Sequence, residues 1–185
     1  MKTIIFCHTN KRDDIELADI LHRNLTAHYQ LTVASPYSMS KLGSGEPLLM
    51  LETDKLPECE IPDAIFLFGE HFYPDASGAI IGSPLCIAAS DNHDLLQAFA
   101  GSGAHFITCG MSPKDTFSCS GKNESSASVS LMREIVGYDG NRIEPFELVF
   151  TLPEEISAYN LLAYAAVLTL FGNITESAKS SLIIR

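Results

Sequence analysis

Residues 3–34 read TIIFCHTNKRDDIELADILHRNLTAHYQLTVA, and the reading of this stretch decides the fold. Thr3 to Cys7 is a short β-branched and apolar run, the composition of a buried strand. From Asp13 to Tyr29 the residues Ile15, Ala18, Leu21, Leu25 and Tyr29 are spaced for one helical face, and Leu31 to Ala34 is a second strand-like run. Strand, helix and strand in that order, joined by a crossover of this length, predict parallel neighbours in one sheet.

Working outward, Ser35 to Pro47 is rich in Ser, Gly and Pro and is expected to be loop, with Gly43-Ser44-Gly45 a flexible segment rather than a phosphate cradle. Leu48 to Leu51 and Asp63 to Phe68 then suit two buried strands. Pro84 to Ala89 is another, followed by a helix capped at Ser90 or Asp91 and running through Ala100. Gly101-Ser102-Gly103 breaks that helix before a strand over His105 to Cys109. From Thr116 to Phe150 short runs are separated by Gly137-Tyr138-Asp139-Gly140-Asn141, a turn composition that predicts antiparallel structure. Pro153 opens a long apolar helix, Glu154 to Phe171, with acidic residues in its first turn and Gly172 as its stop. The expectation is one α/β domain over residues 1–185, three-layered, with a mainly parallel sheet and a small antiparallel extension over 116–150.

Composition narrows the function classes. The 185 residues are 46% apolar and 19% charged, enough to build a core, which excludes bulk disorder. A net charge of −11 excludes a general phosphate-backbone binder, so no nucleic-acid partner is expected. The apolar run at the N-terminus is ended by Asn10, Lys11, Arg12 and Asp13, far short of a signal-peptide core, and Leu161 to Phe171 is about half a bilayer span. No membrane association is expected, and a cytoplasmic location is. Five cysteines (7, 59, 86, 109 and 119) contain no Cys-x-x-Cys pair, which suits reduced core thiols better than a zinc site. Cys7 and His8 are adjacent on a strand and point to opposite faces, so they do not form a nucleophile pair. The cluster Asp91-Asn92-His93-Asp94 stands where a helix must begin and is read as capping.

In a parallel α/β unit the loop after the first strand is where phosphate is usually held, because backbone N–H groups and the helix dipole point there. Here the loop is Cys7-His8-Thr9-Asn10-Lys11-Arg12-Asp13-Asp14. With its flanks it resembles the start of the central ATP-binding domain of the Mur ligase family, which includes folylpolyglutamate synthetase and whose loop typically reads T-G-T-N-G-K-T-T. Thr9 and Asn10 match. Lys11 stands at the glycine, Arg12 at the phosphate-binding lysine, and Asp13 and Asp14 at the hydroxyl residues.

The resemblance continues. Leu48 to Glu52 is similar to the family strand ending in a magnesium-binding glutamate, and Asp63 to His71 to the next strand, with His71 on the metal-binding histidine. Pro84 to Asn92 and Phe106 to Gly110 resemble the following pair of strands, and Leu152 to Gly172 the adenine-side helix, with Asn160 on its last asparagine. The resemblance implies ATP and Mg²⁺ as cofactors, Thr9, Asn10, Lys11, Arg12 and Asn160 as nucleotide contacts, and Glu52 and His71 as metal ligands.

The departures carry their own physics. Losing the loop glycine removes the φ > 0 freedom that wraps a phosphate, and arginine is a larger fork than lysine. Asp13 and Asp14 stabilise a helix N-terminus by about 0.3–1 kcal/mol each yet oppose an incoming triphosphate, so the anion site is expected to be filled from within. Glu154, Ile156 and Ser157 replace the family's glycine, histidine and first asparagine, and between His71 and Pro84 there is no lysine to be carbamylated. Two function readings follow. The first is a degenerate, catalytically inactive Mur ligase-like module that binds a protein partner or self-associates. The second is an ATP-dependent amide-forming ligase domain that works with a partner chain.

Overall fold

The run Thr3–Cys7 forms the middle of a sheet. The computed structural model of the chain describes residues 1–9, 11–57, 61, 63–74, 83–152, 155–174 and 182–183, arranged as two compact units, Met1–Phe106 and Ile107–Arg185. The first unit contains β1 (Lys2–Cys7), α1 (Arg12–Leu25), β2 (Tyr29–Ser35), β3 (Ser38–Leu42), β4 (Glu46–Thr53), β5 (Ile65–Phe68), β6 (Leu85–Ala89) and α2 (His93–Ala98). Its strand order is β3-β2-β4-β1-β5-β6, parallel throughout except for β3.

Register and alternation assign the layers. Ile5 lies level with Leu51 and Phe66, and Phe6 with Glu52 and Leu67. Ile5 and Cys7 join Phe66, Phe68, Cys86 and Ala88 in a core closed by Leu95 and Phe99 at α2. Each such phenylalanine, wholly removed from water, contributes about 1.5–3 kcal/mol. Phe6 points to the other face. Glu52, level with it, meets His22 of α1 at 2.8 Å, which places α1 and its buried Leu17, Ile20, Leu21 and Leu25 on that side. The first unit is therefore three layers, α1, sheet and α2, as the sequence predicts.

Several element boundaries of the first unit differ from expectation. The segment read as loop between Ser35 and Pro47 holds β3, antiparallel to β2 and exposed at all five residues, so it carries no burial pattern to read. α1 stops at Leu25, because His28 N–H donates to the Leu25 carbonyl in a turn and Tyr29 becomes the buried first residue of β2. α2 is capped by Asn92, not by Ser90 or Asp91: its side-chain oxygen accepts the Leu95 N–H at 3.2 Å.

The strand β7 (His105–Gly110) leads from the first unit into the second, with His105 N–H bonded to the Pro84 carbonyl at 2.9 Å. The second unit continues with β8 (Phe117–Lys122), β9 (Ser126–Leu131), β10 (Ile135–Val136), β11 (Arg142–Ile143), β12 (Phe146–Thr151), α3 (Ala158–Leu170) and β13 (Leu182–Ile183). The order is β7-β8-β9-β12-β13, with β9 antiparallel to both its neighbours β8 and β12, the expected extension, and β10 with β11 forms a separate antiparallel pair. α3 is buried nearly all round, Tyr164 packing edge-on to Phe150 at 6.3 Å. It begins at Ala158, four residues later than expected, because the Ser157 hydroxyl accepts the Asn160 N–H and fixes the start there; Pro153 and Glu154 lie outside the described residues. Gly172, with φ +70, follows its end as expected. Among the described residues no helix is long and apolar enough to cross a membrane.

Candidate functional site

The carboxyl end of β1 and the first turn of α1 define the loop where a phosphate is expected, and Asp14 occupies it. The Thr9 N–H and the Thr9 hydroxyl both donate to Asp14 Oδ2, at 2.7 and 2.6 Å, and the Lys11 N–H donates to Thr9 Oγ1 at 3.3 Å. Asp14 is 2% exposed. Its other oxygen rests against the backbone of Gly69, where a Cβ would lie only 2.2 Å from Oδ1. Gly69 is needed here for close approach, and its own N–H donates to the Cys7 carbonyl at 2.8 Å, tying β5 to β1.

The neighbouring residues hold this arrangement. His8 N–H donates to the Thr53 carbonyl at 2.9 Å, its ring stacks on Phe6 at 4.5 Å between centroids, and Nδ1–H donates to the Thr9 carbonyl at 2.8 Å. Lys11 is the α1 N-cap with φ −74 and ψ 153, an extended backbone, so the left-handed conformation that glycine would supply is not used. Its side chain makes no capping bond, and Lys11 and Arg12 are both exposed.

Asp13 turns elsewhere. Ligand atoms of Asp13, Glu70 and His71 all lie within 4.8 Å of one another. Glu70 and His71 belong to a turn in which Phe72 N–H donates to the Gly69 carbonyl at 3.0 Å. The Asn92 amide clamps that turn, donating to the carbonyls of Glu70 at 3.2 Å and Phe72 at 2.9 Å. Beside it is a cavity of ≈ 410 Å³ lined by Glu70, His71, Asp91, Asn92, His93 and Asp94 among others. Burial pushes the Glu70 carboxyl above the ordinary value, His71 opposes this, and the charges of Asp91, Asp13 and Asp14 add to it.

The sequence-predicted residues are thus distributed over four places. Thr9, Lys11 and Arg12 lie at the start of α1 with Asp14; Asn10 falls outside the described residues. Glu52 is drawn to the α1 face, its Oε1 2.8 Å from His22 Nε2 in an ion-pair contact that lacks hydrogen-bond alignment. His71 joins Asp13 and Glu70 instead of Glu52. Asn160, in the second unit, is 1% exposed in the first turn of α3. Sequence reasoning missed Glu70 as a partner of Asp13. The signal available was Gly69-Glu70-His71 directly after a fully buried strand, the place where an open sheet presents its crevice residues.

No protein-family model matches the chain. No curated protein matches it either. Solved structures do. E. coli FolC in complex with DHPP and ADP is similar with a TM-score of 0.58 at 13% identity, over 96% of this chain and 55% of that one. A murein peptide ligase from Psychrobacter arcticus is similar with a TM-score of 0.54 at 12% identity, over 96% and 45%. A bifunctional folylpolyglutamate synthase/dihydrofolate synthase with Mn, AMPPNP and L-glutamate bound gives 0.52 at 11% identity, over 96% and 55%. The α/β fold is that of Mur ligases and folylpolyglutamate synthases, and the chain spans about half the length of these structures.

Proposed function

We propose that this chain is a non-catalytic module built on the ligase fold, in which Asp14 takes the place of bound phosphate and the domain serves binding or assembly. One observation carries this reading: the Thr9 N–H and hydroxyl, donors that a phosphate oxygen would use, are both spent on a buried carboxylate. A triphosphate entering that loop meets a fixed negative charge. At 4 Å and an effective dielectric of 20, one such pair of charges repels by about 4 kcal/mol, comparable to the whole affinity of a millimolar ligand. The loop as built therefore does not fit ATP with Mg²⁺, the ligand class represented in the similar structures by ADP and by AMPPNP with Mn. The partner is another protein or a second copy of the chain. A cytoplasmic setting suits the four buried free thiols Cys7, Cys86, Cys109 and Cys119.

A second reading rests on Lys11 and Arg12, two exposed cations at the start of α1 that can face an anion from outside the loop. In that reading the chain is an ATP-dependent amide-forming ligase domain completed by a partner chain. Calorimetric titration with MgATP separates the two. The module reading expects no binding up to millimolar nucleotide by the wild type, and a weak affinity appearing in Asp14→Ala, where the Thr9 donors are released. Micromolar affinity of the wild type, lost in Arg12→Ala, would establish the ligase reading instead.

A further inference from the structure

We infer that β3 is a self-association edge: two copies of this chain pair β3 against β3, antiparallel and centred on Ser40, so that the sheet of the first unit continues from one copy into the other. The inference rests on the assembly role proposed above and gives it a surface and a partner. It uses no residue of the Thr9–Asp14 contact, so the nucleotide titration and a measurement of dimerisation can fail separately.

The edge is preformed and uncovered. β3 ends the sheet of the first unit, so among the described residues the outward N–H and C=O groups of Ser38–Leu42 meet no further strand, and all five residues are exposed. Both ends of the strand are fixed. The Ser35 and Ser38 hydroxyls lie 2.8 Å apart across the Pro36-Tyr37 turn, and Gly43, with φ +71, packs so closely that a Cβ would lie 2.6 Å from the Tyr29 carbonyl oxygen. A strand held in this way pairs without first being ordered, and an exposed edge is the template on which a further strand adds. Tyr37, Met39 and Leu42 stand exposed along it, apolar surface that only an added strand would cover.

Charge and register select a second copy as that strand. A chain of net charge −11 repels its own copies wherever acidic surfaces meet. Between Ile20 and Gly45 there is no Asp or Glu, the longest such run in the sequence, and β3 lies inside it. Two-fold antiparallel pairing brings side chains of the same face opposite each other, so its axis must pass through a residue. Centred on Lys41 it sets two lysines directly opposite, and centred on Met39 it leaves Leu42 outside. Centred on Ser40 it pairs all five residues, with Ser38 opposite Leu42 of the second copy and Met39 opposite Lys41 of the second copy. Large then meets small, and the apolar stem of the lysine covers the methionine. Five paired residues fall short of the roughly 1,200 Å² that stable complexes bury, so the dimer is weak and concentration-dependent.

The test is sedimentation equilibrium of the untagged full chain from about 10 µM to 1 mM, the range in which so small an interface fills. The mass is expected to rise from monomer towards dimer. Met39 is 77% exposed, so charges placed there leave the fold intact, and unfolding followed in parallel checks this. Met39→Lys sets lysine opposite Lys41 of the second copy twice per dimer and should weaken association by about two- to thirtyfold; Met39→Glu, opposite the same lysines, should strengthen it by a similar factor. In a Cys59→Ser background, Ser40→Cys should cross-link two copies through a disulfide at the two-fold axis, and Ser38→Cys should not. A chain that stays monomeric at 1 mM overturns the inference, as does a dimer indifferent to both Met39 variants. Weakening by Met39→Glu with strengthening by Met39→Lys also overturns it, since the edge would then face an acidic surface.

Discussion

At the scale of single residues, the Asp14–Gly69 contact sets the character of the loop. The carboxylate is buried, receives two hydrogen bonds from Thr9, and fits only because residue 69 has no side chain. Gly69→Ala forces a methyl group against Oδ1 and Cγ at 2.2 and 2.7 Å, and Asp14 cannot swing away without abandoning Thr9. The expected cost is about 1–3 kcal/mol of stability, read from urea unfolding. Asp14→Ala leaves the Thr9 N–H without its acceptor and is expected to cost about 1–3 kcal/mol as well. The double variant removes both the clash and its partner, so its cost should fall well below the sum of the two. Strict additivity would show that the two residues do not press on each other. The sequence made the acidic start of α1 legible, and with it the conflict with triphosphate. It did not separate Asp14, which turns inward to Thr9, from Asp13, which turns to Glu70 and His71. That division depends on the strand β5 arriving beside β1, a contact between residues about sixty positions apart.

At the scale of elements, the buried strands were legible and the exposed one was not. β1, β5 and β6 are apolar runs because both of their faces are covered, and continuous apolar runs survive as a signal in the sequence. β3 is Ser-Met-Ser-Lys-Leu, exposed throughout, and is a strand only because β2 offers it an edge to pair with. Helix starts were blurred for a related reason: several residues in a row can cap, and tertiary contacts choose among them. Asn92 is chosen because its amide reaches the Glu70 and Phe72 carbonyls while its oxygen caps α2; Ser157 caps α3 alone. The two caps should therefore differ in worth. Ser157→Ala is expected to cost about 1 kcal/mol, the usual value of one cap. Asn92→Ala loses the cap and leaves two carbonyls without donors, so it should cost clearly more, about 2–3 kcal/mol. Equal losses in thermal or urea unfolding would mean that the clamp on the Glu70 turn contributes nothing.

At the scale of the whole molecule, the four described cysteines report on how firmly each unit is closed. Cys7 and Cys86 lie in the first unit and Cys109 and Cys119 in the second, all buried and free. Burial pushes the Cys86 thiol up to about 12, and burial together with the Asp115 charge pushes Cys109 up further. At pH 8 a thiol of that kind is ionised to only about one part in ten thousand, and the thiolate is the form that attacks a disulfide reagent. Reaction therefore requires opening. In a Cys59→Ser background, a disulfide reagent at pH 8 is expected to find no fast thiol in the native protein and four after denaturation. Their slow native reaction should follow the opening of each unit: similar rates for all four mean that both units open together, and faster modification of one pair identifies the unit that opens first. Raising the pH from 8 to 9 raises the thiolate fraction of Cys86 and Cys109 tenfold, because both stay below their raised pKa over that step. A native rate that grows tenfold over that step shows attack on thiols that ionise in place. A rate that scarcely changes shows that unfolding limits the reaction, which is the outcome expected of cores closed as tightly as these.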